Sequence, residues 1–329
     1  MNFWNKLKKP IMVLAPMADV TDIAFRTIIA KYGKPDVMWS EFVSADGLMK
    51  APDDNHDNSG LSSNQKLMKD LEYTDAERPI VAQLFSGNPE MMEQAAALVQ
   101  KIGFDGIDIN MGCPDKSIER QKAGASLMRD YKLARELVKA CKRGAPKLPV
   151  SVKTRTGYNS DQLEEWLREL LKENPATVTI HARTRKEMSK VPANWERIKR
   201  AVEIRDELKS ETLIIGNGDV TNLEEAEARV KESRCDGVMI GRGIFGNPWL
   251  FNKKINREDV SIKERLEVML EHTKLFEEKL PHKSFAVMKK HYKAYVDGFD
   301  GAKELRVRLM ESQNSGEVQD IVKEFIKNV

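Results

Sequence analysis

Eight short runs of apolar, largely β-branched residues punctuate the chain as far as residue 242: IMVLA (11–15), VMWSEF (37–42), PIVAQLF (79–85), GIDIN (106–110), PVSVKT (149–154), TVTIH (177–181), TLIIGN (212–217) and GVMIGR (237–242). They read as continuously apolar segments rather than as the apolar–polar alternation of a half-exposed strand. Each therefore predicts a strand buried on both faces, the signature of a parallel sheet covered by helices. Between the runs, segments such as PEMMEQAAALVQKIG and LEEWLRELLKENP repeat apolar residues at helical spacing, with Gly103 and Pro175 placed to end them. Eight strand–helix units in order predict an α/β fold, a closed (β/α)8 TIM barrel. An open doubly wound sheet would want GxGxxG after its first strand, where this chain reads APMADV. The longest connection, 47–78, contains the polar stretch APDDNHDNSGLSSN and predicts an exposed excursion followed by a short helix.

The alternation stops near residue 250. Beyond it the periodicity is helical throughout, in SIKERLEVMLEHTKLFEEKL, SFAVMKKHYKAYVDGF, AKELRVRLMES and EVQDIVKEFIKNV, separated by Pro281, Gly298, Gly301 and Gly316. The pattern predicts two domains, a barrel over 1–252 and an all-helical C-terminal domain over 253–329.

Composition narrows the function classes. The chain is 41% hydrophobic and 32% charged, an ordinary globular balance, and its formal net charge of +3 announces no global field for nucleic acid, so any such site is local. Three widely spaced cysteines without a CxxC pair argue against a disulfide framework, an iron–sulfur cluster and a structural zinc site. The five histidines show no HExxH spacing, and no metal site is expected. No apolar run reaches the ~18–20 residues that cross a bilayer, and MNFWNKLKKP is too short and polar for a signal peptide. A reduced, cytoplasmic protein is expected, away from membranes and a monomer when free.

In a barrel, chemistry collects at the C-terminal ends of the strands. Those ends carry Pro16-Met17-Ala18, Ser40-Glu41, Gln83, Asn110 with Cys113, Lys153 with Arg155, His181 with Arg183, Asn217-Gly218-Asp219, and Gly241-Arg242. The glycine stretches IIGNGDV and MIGRGIF follow strands 7 and 8, where barrels often build a phosphate site from backbone N–H groups; alone, either is as readily a tight turn. Lys153 stands in a buried-strand context, where an unpaired ammonium is costly. It either pairs with a carboxylate such as Asp108 or holds an electron-rich ring atom of a cofactor. The arginines of HARTR suit phosphate or a polar base edge. Trp39, Met111 and Trp195 read as core or pocket wall. Cys141 and Cys235 read as small buried hydrophobes, whereas Cys113, between Gly112 and Pro114 at a strand end, reads as chemistry.

Together, APMADVTDIAFR (15–26), DINMGCPDKSIERQKAGASLM (108–128), VSVKTRTGY (150–158), TIHARTR (179–185), IIGNGDV (214–220) and DGVMIGRGIFGNPWLF (236–251) resemble the tRNA-dihydrouridine synthase family, nearest its bacterial B-type branch. HKSFAVMKKHYKAYVDGFDGAKELRVRLM (282–310) is similar to that family's helical tail. The resemblance implies an FMN-bound TIM barrel that uses NADPH to reduce a D-loop uridine in tRNA. It implies that Pro16, Met17, Ala18, Gln83, Lys153 and His181 contact the flavin. Asn217, Gly218, Asp219, Gly241 and Arg242 would form its phosphate side. Cys113 would be the proton donor, with Asn110, Arg155 and Arg183 toward the substrate. One segment departs: after HARTR the family usually continues with a glutamine, a tyrosine and a glycine, whereas this chain reads KEMSKVPANW, in a loop near the family's substrate opening.

The chemistry accounts for a cysteine at that place. Saturating the 5,6 bond of uracil takes a hydride at C6 and a proton at C5. A thiol near its reference pKa of about 8.5 is mostly protonated at pH 7 and can serve as the acid. For the partner, Lys283, Lys289, Lys290, Lys293, Lys303, Arg306 and Arg308 outnumber the acids of 282–308, with Tyr292 and Tyr295 among them. Lys289, Lys290, Lys293 and Arg306 are expected to grip tRNA phosphates while the tyrosines stack bases. The competing reading is an FMN barrel acting on a free pyrimidine or another small enone.

Overall fold

The computed structural model describes residues 2–50 and 61–327. The polar stretch expected to form an exposed excursion falls largely on 51–60, outside the described residues; the short helix expected after it is Ser63–Asp70.

All eight predicted strands are present: β1 (Ile11–Leu14), β2 (Met38–Ser44), β3 (Ile80–Phe85), β4 (Gly106–Met111), β5 (Val150–Arg155), β6 (Thr177–His181), β7 (Leu213–Asn217) and β8 (Gly237–Ile240). They form one parallel sheet in the order β1-β8-β7-β6-β5-β4-β3-β2. The sheet curls so that its two edges approach. Val13 of β1 bridges Val37 just before β2, and Leu14 N–H donates to the Val37 carbonyl at 3.2 Å. This α/β arrangement is consistent with the expected (β/α)8 barrel.

Strand side chains alternate between two environments. Met12, Leu14, Ile107, Ile109, Val152, Val178, Ile180, Ile214, Val238 and Ile240 face outward into the layer shared with the helices. Ile11, Val13, Trp39, Val81, Ile215 and Met239 form a second apolar cluster together with Trp4. Trp4 sits on the short 3-10 helix Phe3–Lys6, with its ring 5.8 Å from that of Trp39. Each such side chain removed from water contributes roughly 1.5–3 kcal/mol. Positions of the same parity on β3, β4 and β5 are polar: Gln83, Asp108 and Ser151 are all buried. Asp108 accepts from Gln83 Nε2 at 2.6 Å and Ser151 Oγ at 2.7 Å.

Among the outer helices, Pro89–Ile102 starts on Asn88, whose side chain accepts from Glu90 N–H. It stops at Gly103, whose φ of +99° is the left-handed cap that glycine supplies. The helix expected to run to Pro175 ends earlier, at Leu171.

Past β8 the chain forms helices Ile262–Lys279, Lys289–Tyr295, Ala302–Glu311 and Ser315–Lys327, with a 3-10 turn at Phe285–Met288. Their apolar faces share one core, and Ile23, Ala24, Ile28 and Trp249 belong to it as well. The tail therefore closes over the helix that follows β1. Gly246 permits a further close approach: its φ is +67°, and a Cβ there would lie 2.0 Å from the Ala294 carbonyl oxygen. Tyr292 and Tyr295 lie within this core, fully buried. The expectation that they stack bases is corrected: on Lys289–Tyr295 they share the inward face with His291, while Lys290 and Lys293 face solvent.

Candidate active site at the C-terminal rim of the sheet

The alternation that builds the core also selects the site. Lys153 lies two residues before the end of β5, and His181, Asn217 and Gly241 fall at or just beyond the last positions of β6, β7 and β8, all on the parity that faces inward. With Pro16, Met17, Arg183, Gly218, Asp219 and Arg242 they line a cavity of about 470 Å³.

Lys153 forms no ion pair with Asp108 or any other described carboxylate. Its Nζ has a single long hydrogen bond, 3.4 Å to Asn217 Oδ1. Among the described residues no carboxylate lies within ion-pair distance of it; Asp108, the candidate partner, is satisfied by Gln83 and Ser151. Burial pulls the amine down to about 8, and the Arg155 charge acts in the same direction. A lysine so placed is a cation without a protein counter-ion at ion-pair distance.

His181 is pushed down to about 2 by burial and then by the surrounding Arg155, Lys153, Arg183 and Arg242. It is neutral at any working pH. Arg183 Nη1 lies 3.1 Å from His181 Nε2. An arginine only donates, so Nε2 accepts and the ring proton is assigned to Nδ1.

Arg183 is 2% exposed, and every guanidinium nitrogen is engaged: Nη1 with His181, Nη2 in an ion pair with Asp219, and Nε with the Val191 carbonyl at 2.6 Å. It therefore organises the rim rather than standing free toward a substrate. Asp219 sits at φ +54°, accepts from Ala193 N–H at 2.9 Å and meets Arg242 Nη2 at 3.2 Å. Burial raises its carboxyl, but these donors outweigh it and leave the group below its ordinary value.

Beside the cavity lies the loop after β4. Asn110 Oδ1 accepts from the N–H groups of both Gly112 (3.1 Å) and Cys113 (3.0 Å), while its Nδ2 donates to Gln83 Oε1 at 3.1 Å. Arg155 Nε donates to the Gly112 carbonyl at 2.9 Å. Asn110 and Arg155 thus hold the cysteine loop from both sides. The Cys113 thiol is partly exposed, and burial raises it above its ordinary value, with the Asp115 carboxylate adding to the rise. It stays protonated at neutral pH. Cys141 and Cys235 are buried, as expected of small core residues.

Five predicted rim residues stand off the cavity lining, Asn110 and Cys113 of the loop just described among them. Gln83 is fully buried beneath it, Ala18 is exposed, and Arg155 is 9% exposed with its guanidinium on the Gly112, Thr184 and Met188 carbonyls. Lys289, Lys290, Lys293 and Arg306 lie on the tail helices; Arg306 spends one nitrogen on the Val296 carbonyl at 2.8 Å. Ser189 and Glu41, the latter noted only as a strand end, are two of the contributors outside the expected site residues. Ser189, from the loop after β6, lines the cavity. Glu41 is tied to the tail through Lys283 Nζ at 2.7 Å and also accepts from Asp19 N–H at 2.5 Å, in the turn after Met17. Glu41 was legible only as a polar strand end, and nothing local pointed to a partner 242 residues away.

A family model described as Dihydrouridine synthase (Dus) matches residues 13–329. The chain is 39% identical to a "probable tRNA-dihydrouridine synthase" of Staphylococcus aureus (strain COL), covering 98% of this chain and 95% of that one. It is 38% identical to "probable tRNA-dihydrouridine synthase 2" of Bacillus subtilis (strain 168), covering 98% and 96%. Among solved structures, histamine dehydrogenase from Rhizobium sp. 4-9 superposes with a TM-score of 0.53 at 13% identity. That match covers 80% of this chain and 48% of the other, so the chain spans about half of that longer protein and shares a fold with it.

Proposed function

This chain belongs to the dihydrouridine synthase family, and from that premise we propose that it reduces the C5=C6 bond of a D-loop uridine in tRNA, with FMN as resident cofactor, NADPH as reductant and Cys113 as proton donor. The observation that carries this reading is Lys153, a half-buried amine without a protein counter-ion in a cavity next to the loop that holds a protonated thiol. The catalytic unit is a closed (β/α)8 barrel over 1–252. The helices of 253–329 contribute the tRNA-binding domain, through Lys289, Lys290, Lys293 and Arg306. The protein works in the cytoplasm and is a monomer when free.

The residues at the rim fit a flavin mononucleotide. Lys153 offers an ammonium to an electron-rich ring atom, and neutral His181 offers an Nδ1–H. Gly218, at φ +133°, opens the backbone between Asn217 and Asp219. Among the described residues, the N–H groups of Arg242 and Gly243 have no protein acceptor. Asn217, Gly218, Asp219, Gly241 and Arg242 would take the phosphate side, and Pro16, Met17, Ala18 and Gln83 the remainder. When bound, reduced FMN supplies the hydride that C6 of the uracil receives.

The protein's own contribution is the proton. Hydride arrival at C6 leaves negative charge on C5 and the neighbouring carbonyl. The Cys113 S–H gives its proton to C5, the S–H bond breaking as the C–H bond forms, and the thiolate recovers a proton from solvent. A raised thiol pKa keeps the acid loaded at neutral pH. Asn110 and Arg155 fix the backbone that aims it.

The test is to denature the purified protein, identify the flavin released, and incubate the native protein with NADPH and unmodified tRNA. FMN and new dihydrouridine are expected. FAD alone, or turnover on free uracil but not on tRNA, would replace this reading with that of a small-molecule reductase.

A further inference from the structure

The loop after β6 carries a feature that the chemistry above leaves unused. Met188 and Val191 are large apolar side chains at 39% and 42% exposure, and Lys186, Ser189, Lys190 and Pro192 are exposed around them. Such a tip would ordinarily be mobile; here its backbone is pinned from three directions. Arg155 Nη1 donates to the Thr184 and Met188 carbonyls, each at 3.2 Å, and Arg183 Nε donates to Val191. The Glu187 carboxylate accepts from Thr184 N–H at 2.6 Å and from Arg197 Nη1 and Nη2 at 2.8 and 3.1 Å. Met188 stands at φ +54°, a conformation a side-chain-bearing residue adopts only when its surroundings impose it.

Charge sets this tip apart from the flanks of the sheet. There, arginines are consumed by neighbours: Arg200 meets Glu164, Glu203 and Glu207, and Arg168 meets Glu164 and Glu207. Lys186 and Lys190 have no carboxylate partner among the described residues. Two unpaired cations interleaved with two exposed apolar side chains, on a backbone already ordered, match a single nucleic-acid strand, which offers phosphates at short intervals and apolar base or ribose faces between them. Ordering beforehand removes a cost that a free loop would meet on binding. The tip also borders the reaction site: Ser189 lines the cavity, and the Arg155 guanidinium that holds Met188 also holds Gly112, next to Cys113.

We propose that residues 186–191 form a docking lip for the RNA strand that flanks the reacting uridine, with Lys186 and Lys190 on its phosphates and Met188 and Val191 against an adjacent base or ribose. The inference rests on the reading of the site as a tRNA uridine reductase and names which part of the rim selects the substrate.

Two variants of the full-length flavoprotein test it, each compared with wild type for KM and kcat on unmodified tRNA across a salt series, with the flavin absorption spectrum as the check on fold. Lys186→Glu/Lys190→Glu is expected to raise KM for tRNA about tenfold or more and to reduce the magnitude of the salt slope by about 1.4, the value for two phosphate contacts to a single strand. Met188→Gly suits the left-handed φ, so the fold is kept; it is expected to raise KM a few-fold with the salt slope unchanged. If wild type reduces tRNA and both variants keep KM within twofold, the lip is refuted while the site reading stands. If wild type reduces only a free pyrimidine, the site reading falls and the lip with it.

Discussion

The rim of the sheet and the surface of the tail are both basic, yet they hold their charges in opposite ways. At the rim, Lys153, Arg155 and Arg183 project from strand ends into a buried setting, and their partners are carbonyls, an imidazole, an asparagine and one aspartate. On the tail, Lys290 and Lys293 stand in solvent on one short helix whose other face, His291, Tyr292 and Tyr295, is sealed in the core. A buried cation without a carboxylate is costly and persists where something else uses it. A solvated lysine costs nothing and carries little information about its purpose. The same residue type thus marks a candidate site at one place and only a permissive surface at the other.

The comparison is sharpened or broken by substitution. The largest effect is expected at Cys113. Cys113→Ala should lower turnover with NADPH and tRNA by about 10²–10⁴, the usual worth of a positioned general acid. Cys235→Ala, which removes a buried thiol that donates to the Gly237 carbonyl, should leave turnover near wild type. A similar loss in both would mean that cysteine removal acts through the fold.

Next comes Lys153→Met. Removing a charge-assisted contact of about 1.5–3 kcal/mol should raise the FMN dissociation constant by roughly 10- to 150-fold, read by fluorescence titration of the apoprotein. Retention of FMN at wild-type affinity would show that the unpaired amine serves something other than the flavin.

The third contrast is in pH. His272 and His291 meet edge to face at 4.7 Å inside the tail core. Burial holds His272 down to about 3 and His291 well below its ordinary value. Both are neutral in the native state, whereas the unfolded chain takes up protons below about 6.5. The stability conferred by neutral burial is therefore complete above about 6.5 and is lost as pH falls toward 3, at up to ~1.4 kcal/mol per pH unit per imidazole. Urea titrations between pH 7 and 5 should show His272→Phe losing stability less steeply than wild type, with equal slopes counting against the assignment. The smallest effect belongs to the exposed lysines. Lys290→Glu and Lys293→Glu should each reduce the salt slope of tRNA binding by about one if they contact phosphate, and an unchanged slope would assign the RNA grip to the rim alone.

The same contrast explains what was legible. The eight strands were readable because a strand covered on both faces must be apolar throughout, and counting to the strand ends pointed to residues such as His181, Asn217 and Arg242 that the fold gathers round one cavity. Lys153 stayed ambiguous because composition cannot say whether Asp108, two residues from Asn110 on the neighbouring strand, is already satisfied; Gln83 and Ser151 satisfy it. Tyr292 and Tyr295 were misjudged because a basic, aromatic helix has the same residues whichever face is buried. The join of Lys283 to Glu41 and Asp70 was invisible, since only the folded chain brings those positions together.

The central claim is that the thiol delivers the proton to the uracil and has no part in loading the flavin. It is tested most directly by single-turnover absorbance of the Cys113→Ala flavoprotein, following flavin reduction by NADPH and then, separately, reoxidation by tRNA. The account predicts that the first step proceeds close to the wild-type rate and that the second slows by about 10²–10⁴. Loss of the first step, or reoxidation by tRNA at the wild-type rate, would contradict it.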